Sequence, residues 1–260
     1  MSDLSWFARI ALPRGAVYAR RDGDTLIVLD RAPWEDARET GERVPVTTTR
    51  LLVPCVPTKI VCVGLNYAMH VAESTTGAIQ APEEPMLFFK PPSALVAQGE
   101  PIVIPDGVGR VDHEVEMAVV IGTRLTRGSL EEARRAIFGV TALNDVSARV
   151  LQKKDGQWGR AKGFDTFCPL GPGIARGLDA DVLHLSARVN GELRQEGTTR
   201  DLLVKSAELV SFVSRVMTLE PGDVISTGTP AGVGPLVPGD TVEIEVEGVG
   251  RLANPVRGAS

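Results

Sequence analysis

The order of sequence signals predicts a mixed, mainly antiparallel α+β fold. Three observations lead there. Short β-branched or alternating apolar runs recur along the chain, helical patterning is confined to two segments, and strands and helices do not alternate as a parallel sheet requires. With 260 residues, 43% of them hydrophobic and 23% charged, the chain suffices for one main domain with a small appendage and an ample core.

The first strand signal is Thr25–Leu29, followed by a polar stretch, residues 34–43, with little apolar periodicity. Residues 1–53 are read as a small N-terminal module. Residues 51–57, with Pro54 and Pro57, read as a linker, because proline fixes an extended or turn conformation and removes a donor. The second unit then covers residues 54–260. Residues 59–63 form a buried strand ended by Gly64, and residues 117–121 another ended by Gly122; the prolines at 82, 85, 91, 92, 101 and 105 exclude a long helix between them. A helix is predicted over residues 129–138. Ser129 and Glu132 make a capping box at its start and Gly139 ends it, after which residues 140–143 extend. Leu183, Leu185, Ala187 and Val189 alternate up to Asn190-Gly191, a pair suited to a two-residue hairpin turn. Residues 201–219 supply a second helix that stops before Pro221-Gly222, and Val242, Ile244 and Val246 mark a closing strand.

The formal net charge is −5 and the Lys and Arg residues are dispersed, which excludes the cationic stripe of a nucleic-acid binder. No stretch reaches the roughly 18 to 20 apolar residues of a membrane span, and Asp3, Arg9 and Arg14 interrupt the N-terminus, so a cytoplasmic protein without membrane partners is expected. Cys55, Cys62 and Cys168 are odd in number and lack the paired short spacing of a zinc site, which reads as reduced core thiols.

Chemistry concentrates in Asp112-His113-Glu114-Val115-Glu116, which runs into the apolar residues 117–121. Residues two apart on a strand share a face, so Glu114 and Glu116 converge. Their repulsion in a partly buried place would be relieved by a proton or by a hard divalent cation; Mg²⁺ and Mn²⁺ favour carboxylate oxygens. Asp145, at the end of the strand after the first helix, can add a third carboxylate. By spacing alone the pair also fits a solvated sheet face. His70 stands three residues before Glu73; in a helical turn the two share a face, as a general-base pair or as an exposed ion pair.

Read together, these segments resemble the fumarylacetoacetate hydrolase family, and within it the short branch of acylpyruvases and oxaloacetate decarboxylases. The resemblance rests on GLNYAMHVAE (64–73), FFKPPSAL (88–95), VDHEVEMAVVIG (111–122), NDVSARVLQ (144–152), AKGFDTFCPLGP (161–172) and PGDVISTGTPAGVG (221–234). The first fifty residues look like the variable module that precedes this domain in bacterial members. The resemblance implies a β-sandwich roll, a homodimer, Mg²⁺ or Mn²⁺ held by Glu114, Glu116 and Asp145, and a water-activating dyad of His70 and Glu73. Arg149, Gln152, Lys162 and Thr229 match positions at or beside the substrate's carboxylate and oxo group. Where the fumarylacetoacetate-cleaving branch has a further aspartate seven residues before its histidine, this chain has Val63, which leaves three carboxylates and argues against fumarylacetoacetate as substrate.

The implied activity is carbon–carbon hydrolysis of a small 2,4-dioxo acid. His70 activates water, and the metal with Lys162 stabilises the departing enolate. Oxaloacetate decarboxylation and isomerisation or tautomerisation of a 2-oxo-diacid use the same groups and remain open at this point, as does a ligand-binding member that has lost catalysis. The 228–234 segment lacks the Gly-Lys-Ser/Thr of a phosphate loop and reads as a tight turn presenting the Thr229 hydroxyl.

Overall fold

The computed structural model describes residues 4–68 and 82–259. Its backbone is organised by a twelve-stranded sheet. From one edge to the other the path runs through Glu39–Pro45, Thr25–Leu29, Gly15–Asp22, Ser5–Leu12, Cys168–Arg176, Ile137–Asn144, Val115–Ile121, Val224–Ser226, Ile60–Gly64 and Met86–Lys90. Neighbours on this path are antiparallel except Val224–Ser226 beside Ile60–Gly64. A five-stranded sheet made of Glu192–Thr198, His184–Val189, Thr241–Val246, Gly250–Gly258 and Ile102–Ile104 packs against it, and Val111–His113 sits in a small third sheet between Ser147–Ala148 and Gly234–Leu236. The α-helices that lie wholly among the described residues are short: Leu130–Ala136, Arg149–Asp155, Gly159–Lys162 and Ser206–Val216. The α+β class with mainly antiparallel strands is therefore as the sequence predicts.

The core explains why the central strand reads as an unbroken apolar run. Met117, Val119 and Ile121 pack with Leu185, Ile244 and Leu252 of the second sheet, while Ala118 and Val120 join Ile60, Phe138 and Leu170 on the opposite face. A strand covered on both faces has no solvent side on which polar residues would alternate. Cys55, Cys62 and Cys168 are free thiols in this interior.

Four readings of local structure change. The capping box at Ser129 and Glu132 is present, yet the helix ends at Ala136 and Gly139 lies inside the following strand. A Cβ at Gly139 would stand 2.5 Å from the Ala175 carbonyl oxygen, so glycine serves close strand approach there and not helix termination. The second helix starts at Ser206 and stops at Val216, because the backbone amides of Leu203 and Val204 are held by the Asn66 carbonyl and Asn66 Oδ1 and stay outside it. The 34–43 stretch contains a strand from Glu39, and Trp34 packs edge-on against Tyr18 and Phe138. Leu51 and Leu52, read as linker, pair with Ile10 and Arg9 of Ser5–Leu12. The hairpin at Asn190-Gly191 forms as read, with φ of 53° and 81°.

Among the described residues no helix is long and apolar enough to cross a membrane. The tight approach at Gly139 gives the first expected outcome: Gly139→Ala lowers stability by about 1–3 kcal/mol, the usual cost of overpacking, read from urea unfolding midpoints.

Candidate functional site

The site forms where the chain passes from the small sheet into the large one. Glu114 sits at the break between Val111–His113 and Val115–Ile121, so it is not on the same regular strand as Glu116. Two backbone links fix the break: the Glu114 amide donates to Asn144 Oδ1 at 3.0 Å, and the Asp145 amide donates to the Glu114 carbonyl at 2.9 Å. Glu116 lies opposite Leu143 in the antiparallel register, which draws Asp145 to the same end of the sheet. Each of Glu114, Glu116 and Asp145 is buried, and each offers a carboxylate oxygen within 4.8 Å of the others.

Buried carboxylates this close need compensation, since leaving water costs several kcal/mol per ion. Lys90, 1% exposed, donates to Asp145 Oδ1 at 2.6 Å and to the Val146 carbonyl at 3.1 Å. Lys162 Nζ reaches Glu114 Oε2 at 2.9 Å and also pairs with Asp145 Oδ2. Arg149 pairs with Glu114 Oε1 at 2.6 Å and with Asp112 Oδ2 at 2.8 Å. Asp112 is held in turn by Arg110 at 2.6 Å. Glu116 accepts from the Ser226 hydroxyl and, at 2.9 Å, from the Gly228 amide.

The electrostatics follow from these placements. Burial, then repulsion from Asp145 and Glu114, pushes the Glu116 carboxyl well above the usual carboxylate range. Burial alone would weaken the Lys162 ammonium, but Asp145 and Glu114 outweigh it and raise its pKa, so Lys162 stays charged. Its Nζ also lies 4.8 Å from the centre of the Phe88 ring and 5.6 Å from that of Trp158.

A cavity of about 500 Å³ opens over the cluster. Glu114, Glu116, Asp145, Arg149, Gln152, Lys162 and Thr229 all line it, so seven residues singled out from the sequence meet in one place. Gln152 Oε1 accepts from Arg149 at 3.0 Å, and Thr229 Oγ1 accepts from Gln195 Nε2 at 2.9 Å. Val63 stands in the wall, leaving the acidic set at three among the described residues. His70 and Glu73 lie outside the described residues.

Sequence reasoning left Lys90, Asp112, Gln195 and Ser226 without a role. Lys90 carried a usable signal: it follows Phe88 by two residues in a short apolar strand, which places a lysine on the inward face. Ser226 and Gln195 carried none, because their partners are 110 residues away and 34 to 82 residues away in sequence, respectively.

Three oxygen donors within one ion's reach, with a carboxyl destabilised by its neighbours, suit a hard divalent cation. Together with buried cations in a cavity of small-molecule size, they define an enzyme's pocket on a strand-rich scaffold. The chain belongs to the fumarylacetoacetate hydrolase family: the model of the fumarylacetoacetate (FAA) hydrolase C-terminal domain matches residues 59–257, and that of the Rv2993c-like N-terminal domain matches residues 7–54.

Oxaloacetate tautomerase YcgM of Escherichia coli is 45% identical over 197 residues, covering 73% of this chain and 89% of its own. The crystal structure of a 2-hydroxyhepta-2,4-diene-1,7-dioate isomerase from Mycobacterium marinum superposes with a TM-score of 0.90 at 41% identity, covering 98% of this chain and 99% of the other. Maleylpyruvate hydrolase from Sphingobium sp. SYK-6, in complex with manganese(II) and pyruvate, gives 0.79 at 31% identity, covering 98% of this chain and 100% of the other.

The buried Lys90–Asp145 pair generates the second expected outcome. In chelator-treated protein, Lys90→Met lowers stability by about 3 kcal/mol, the low end for breaking a buried ion pair because Lys162 remains beside Asp145. Substituting Arg251, whose pair with Glu243 is exposed, changes it by less than about 0.5 kcal/mol. Chemical denaturation of the two variants makes the comparison.

Proposed function

We propose that this chain is a divalent-metal-dependent enzyme that interconverts the keto and enol forms of a small 2-oxo-diacid. The observation that carries this reading is the convergence of three carboxylates with Lys162, Arg149 and Thr229 on one cavity of about 500 Å³. Hydrolysis came first in the sequence reading; the tautomerase and isomerase names of relatives at 45% and 41% identity favour proton transfer instead.

Glu114, Glu116 and Asp145 would hold Mg²⁺ or Mn²⁺, which supplies Lewis-acid polarisation of the 2-oxo group. The chain's own groups do the remainder. Arg149, forked between Asp112 and Glu114, presents its guanidinium at the cavity wall, where a carboxylate of the substrate is oriented. Gln152 holds one arm of that fork. Thr229 offers a hydroxyl to the carboxylate or oxo oxygen. Lys162, kept charged by its two carboxylate neighbours, donates to the oxygen that becomes negative as the C3 proton leaves; it is therefore a stabilising donor and not the base. Proton removal falls to His70 with Glu73 by their match to the family's dyad. Phe88 and Trp158 make the wall beside Lys162 apolar, which strengthens its field at that oxygen.

Carbon–carbon hydrolysis of an acylpyruvate is the second reading, favoured by the maleylpyruvate hydrolase neighbour. It needs His70 to activate water, whereas loss of CO₂ from oxaloacetate does not, so His70→Ala separates those two reactions. We place the working form in the cytoplasm as a homodimer.

The test starts from chelator-stripped protein with Mg²⁺ or Mn²⁺ restored, following decay of the oxaloacetate enol and cleavage of acetylpyruvate in parallel. Turnover should return with metal and fall at least about 10²-fold in Glu116→Ala. Faster enol decay than cleavage supports the tautomerase; the reverse order supports the hydrolase. Metal-independent turnover, or none on either compound, overturns the reading.

A further inference from the structure

Gln195 is the buried residue of the strand Glu192–Thr198, 1% exposed, and it stands behind the cavity wall. Its inward aim has a local cause. Arg188 pairs with Leu193 but Ala187 pairs with Gln195, so Arg194 is an extra residue in a bulge, and a bulge re-aims the side chain beside it. The Thr229 loop lies directly on this bulge: a Cβ on Gly232, where φ is +98°, would meet the Arg194 carbonyl oxygen at 2.5 Å.

All four hydrogen-bonding positions of the Gln195 amide are engaged. Oε1 accepts from the Val115 amide at 3.0 Å and meets His113 Nδ1 at 2.9 Å; Nε2 donates to the Pro230 carbonyl and to Thr229 Oγ1, both at 2.9 Å. Orientation is decided by the two backbone partners. A peptide N–H only donates and a carbonyl only accepts, so a flipped amide would oppose like to like at both. Two consequences follow. His113 must carry its proton on Nδ1, and Thr229 Oγ1 must spend a lone pair on Gln195. The Thr229 proton is then turned away from Gln195, toward the cavity that Thr229 lines.

We propose that Gln195 is a positioning residue that fixes Thr229 as a hydrogen-bond donor to the oxygen atoms of a bound 2-oxo acid, while tying the Thr229 loop to the Glu114 strand break. The proposal rests on the 2-oxo-acid reading above. A threonine hydroxyl left to itself can accept as readily as donate. With Gln195 donating to it, the site presents a proton to an anionic oxygen and disfavours ligands that offer a donor at that point. Gln195 touches no substrate and acts through Thr229.

A double-mutant cycle with Gln195→Glu and Thr229→Val tests this. A glutamate of the same length can still accept from Val115 and His113, but it cannot replace both N–H donors, so the Thr229 hydroxyl is drawn back toward it. The dissociation constant for pyruvate, measured by calorimetry with Mn²⁺ present, should rise about tenfold in each single variant, the worth of one hydrogen bond. In the Thr229→Val background, Gln195→Glu should change it less than about twofold. In turnover the same losses should fall on KM more than on kcat, and Gln195→Met, which also removes the acceptor, should lower the melting temperature further than Gln195→Glu. Equal effects of Gln195→Glu in both backgrounds, or unchanged pyruvate affinity, would overturn the proposal. Wild-type protein that binds no pyruvate and turns over no 2-oxo acid would instead overturn the functional reading, and this inference with it.

Discussion

Three carboxylates are held within 4.8 Å of one another in the interior, and much of the surrounding structure follows from that constraint. Water cannot screen them there, so the fold has to deliver positive charge and donors from elsewhere in the chain. Lys90 comes from an edge strand, Lys162 from a four-residue helix, and Arg149 from the helix directly after the Asp145 strand end. Asp145 and Glu114 receive these cations. Glu116 receives only a hydroxyl and an amide among the groups described, and burial with repulsion from Asp145 and Glu114 disfavours its charged form. That imbalance leaves room for a further cation at the cluster.

The scaffold meets this demand through an interruption in its regularity. A continuous strand through residues 111–121 would place every residue in one sheet. The break at Glu114 lets Val111–His113 pair with Ser147–Ala148 and Gly234–Leu236, while Val115–Ile121 enters the large sheet. Asn144 and the Asp145 amide satisfy the backbone at the break, so the Glu114 N–H and C=O are both paired. The bulge at Arg194 is a second interruption, and it supplies the buried amide on which the Thr229 loop rests. Both irregularities sit beside the cavity, while the sheets that carry them are tightly packed. Such a division gives the site a rigid frame without requiring the site itself to be regular.

Composition, periodicity and turn chemistry were enough to determine the α+β class, the apolar central strand, the capping box at Ser129 and Glu132, and the Asn190-Gly191 hairpin. Each depends on residues close in sequence, where spacing and local hydrogen bonding act directly. The acidic residues were legible through the ordered family motifs, which marked Glu114, Glu116, Asp145, Arg149, Gln152, Lys162 and Thr229; the two-residue spacing alone misplaced Glu114, which the strand break takes off the strand that holds Glu116. Tertiary structure alone decided the rest. Gly139 looked like a helix stop because glycine so often ends helices, and only the Ala175 strand shows that close approach is what it serves. The second helix looked longer than it is, because Asn66, far away in sequence, captures the backbone at Leu203 and Val204. Lys90, Ser226 and Gln195 matter through partners 34 to 110 residues distant, and no local pattern encodes a pairing that exists only once the sheets have closed.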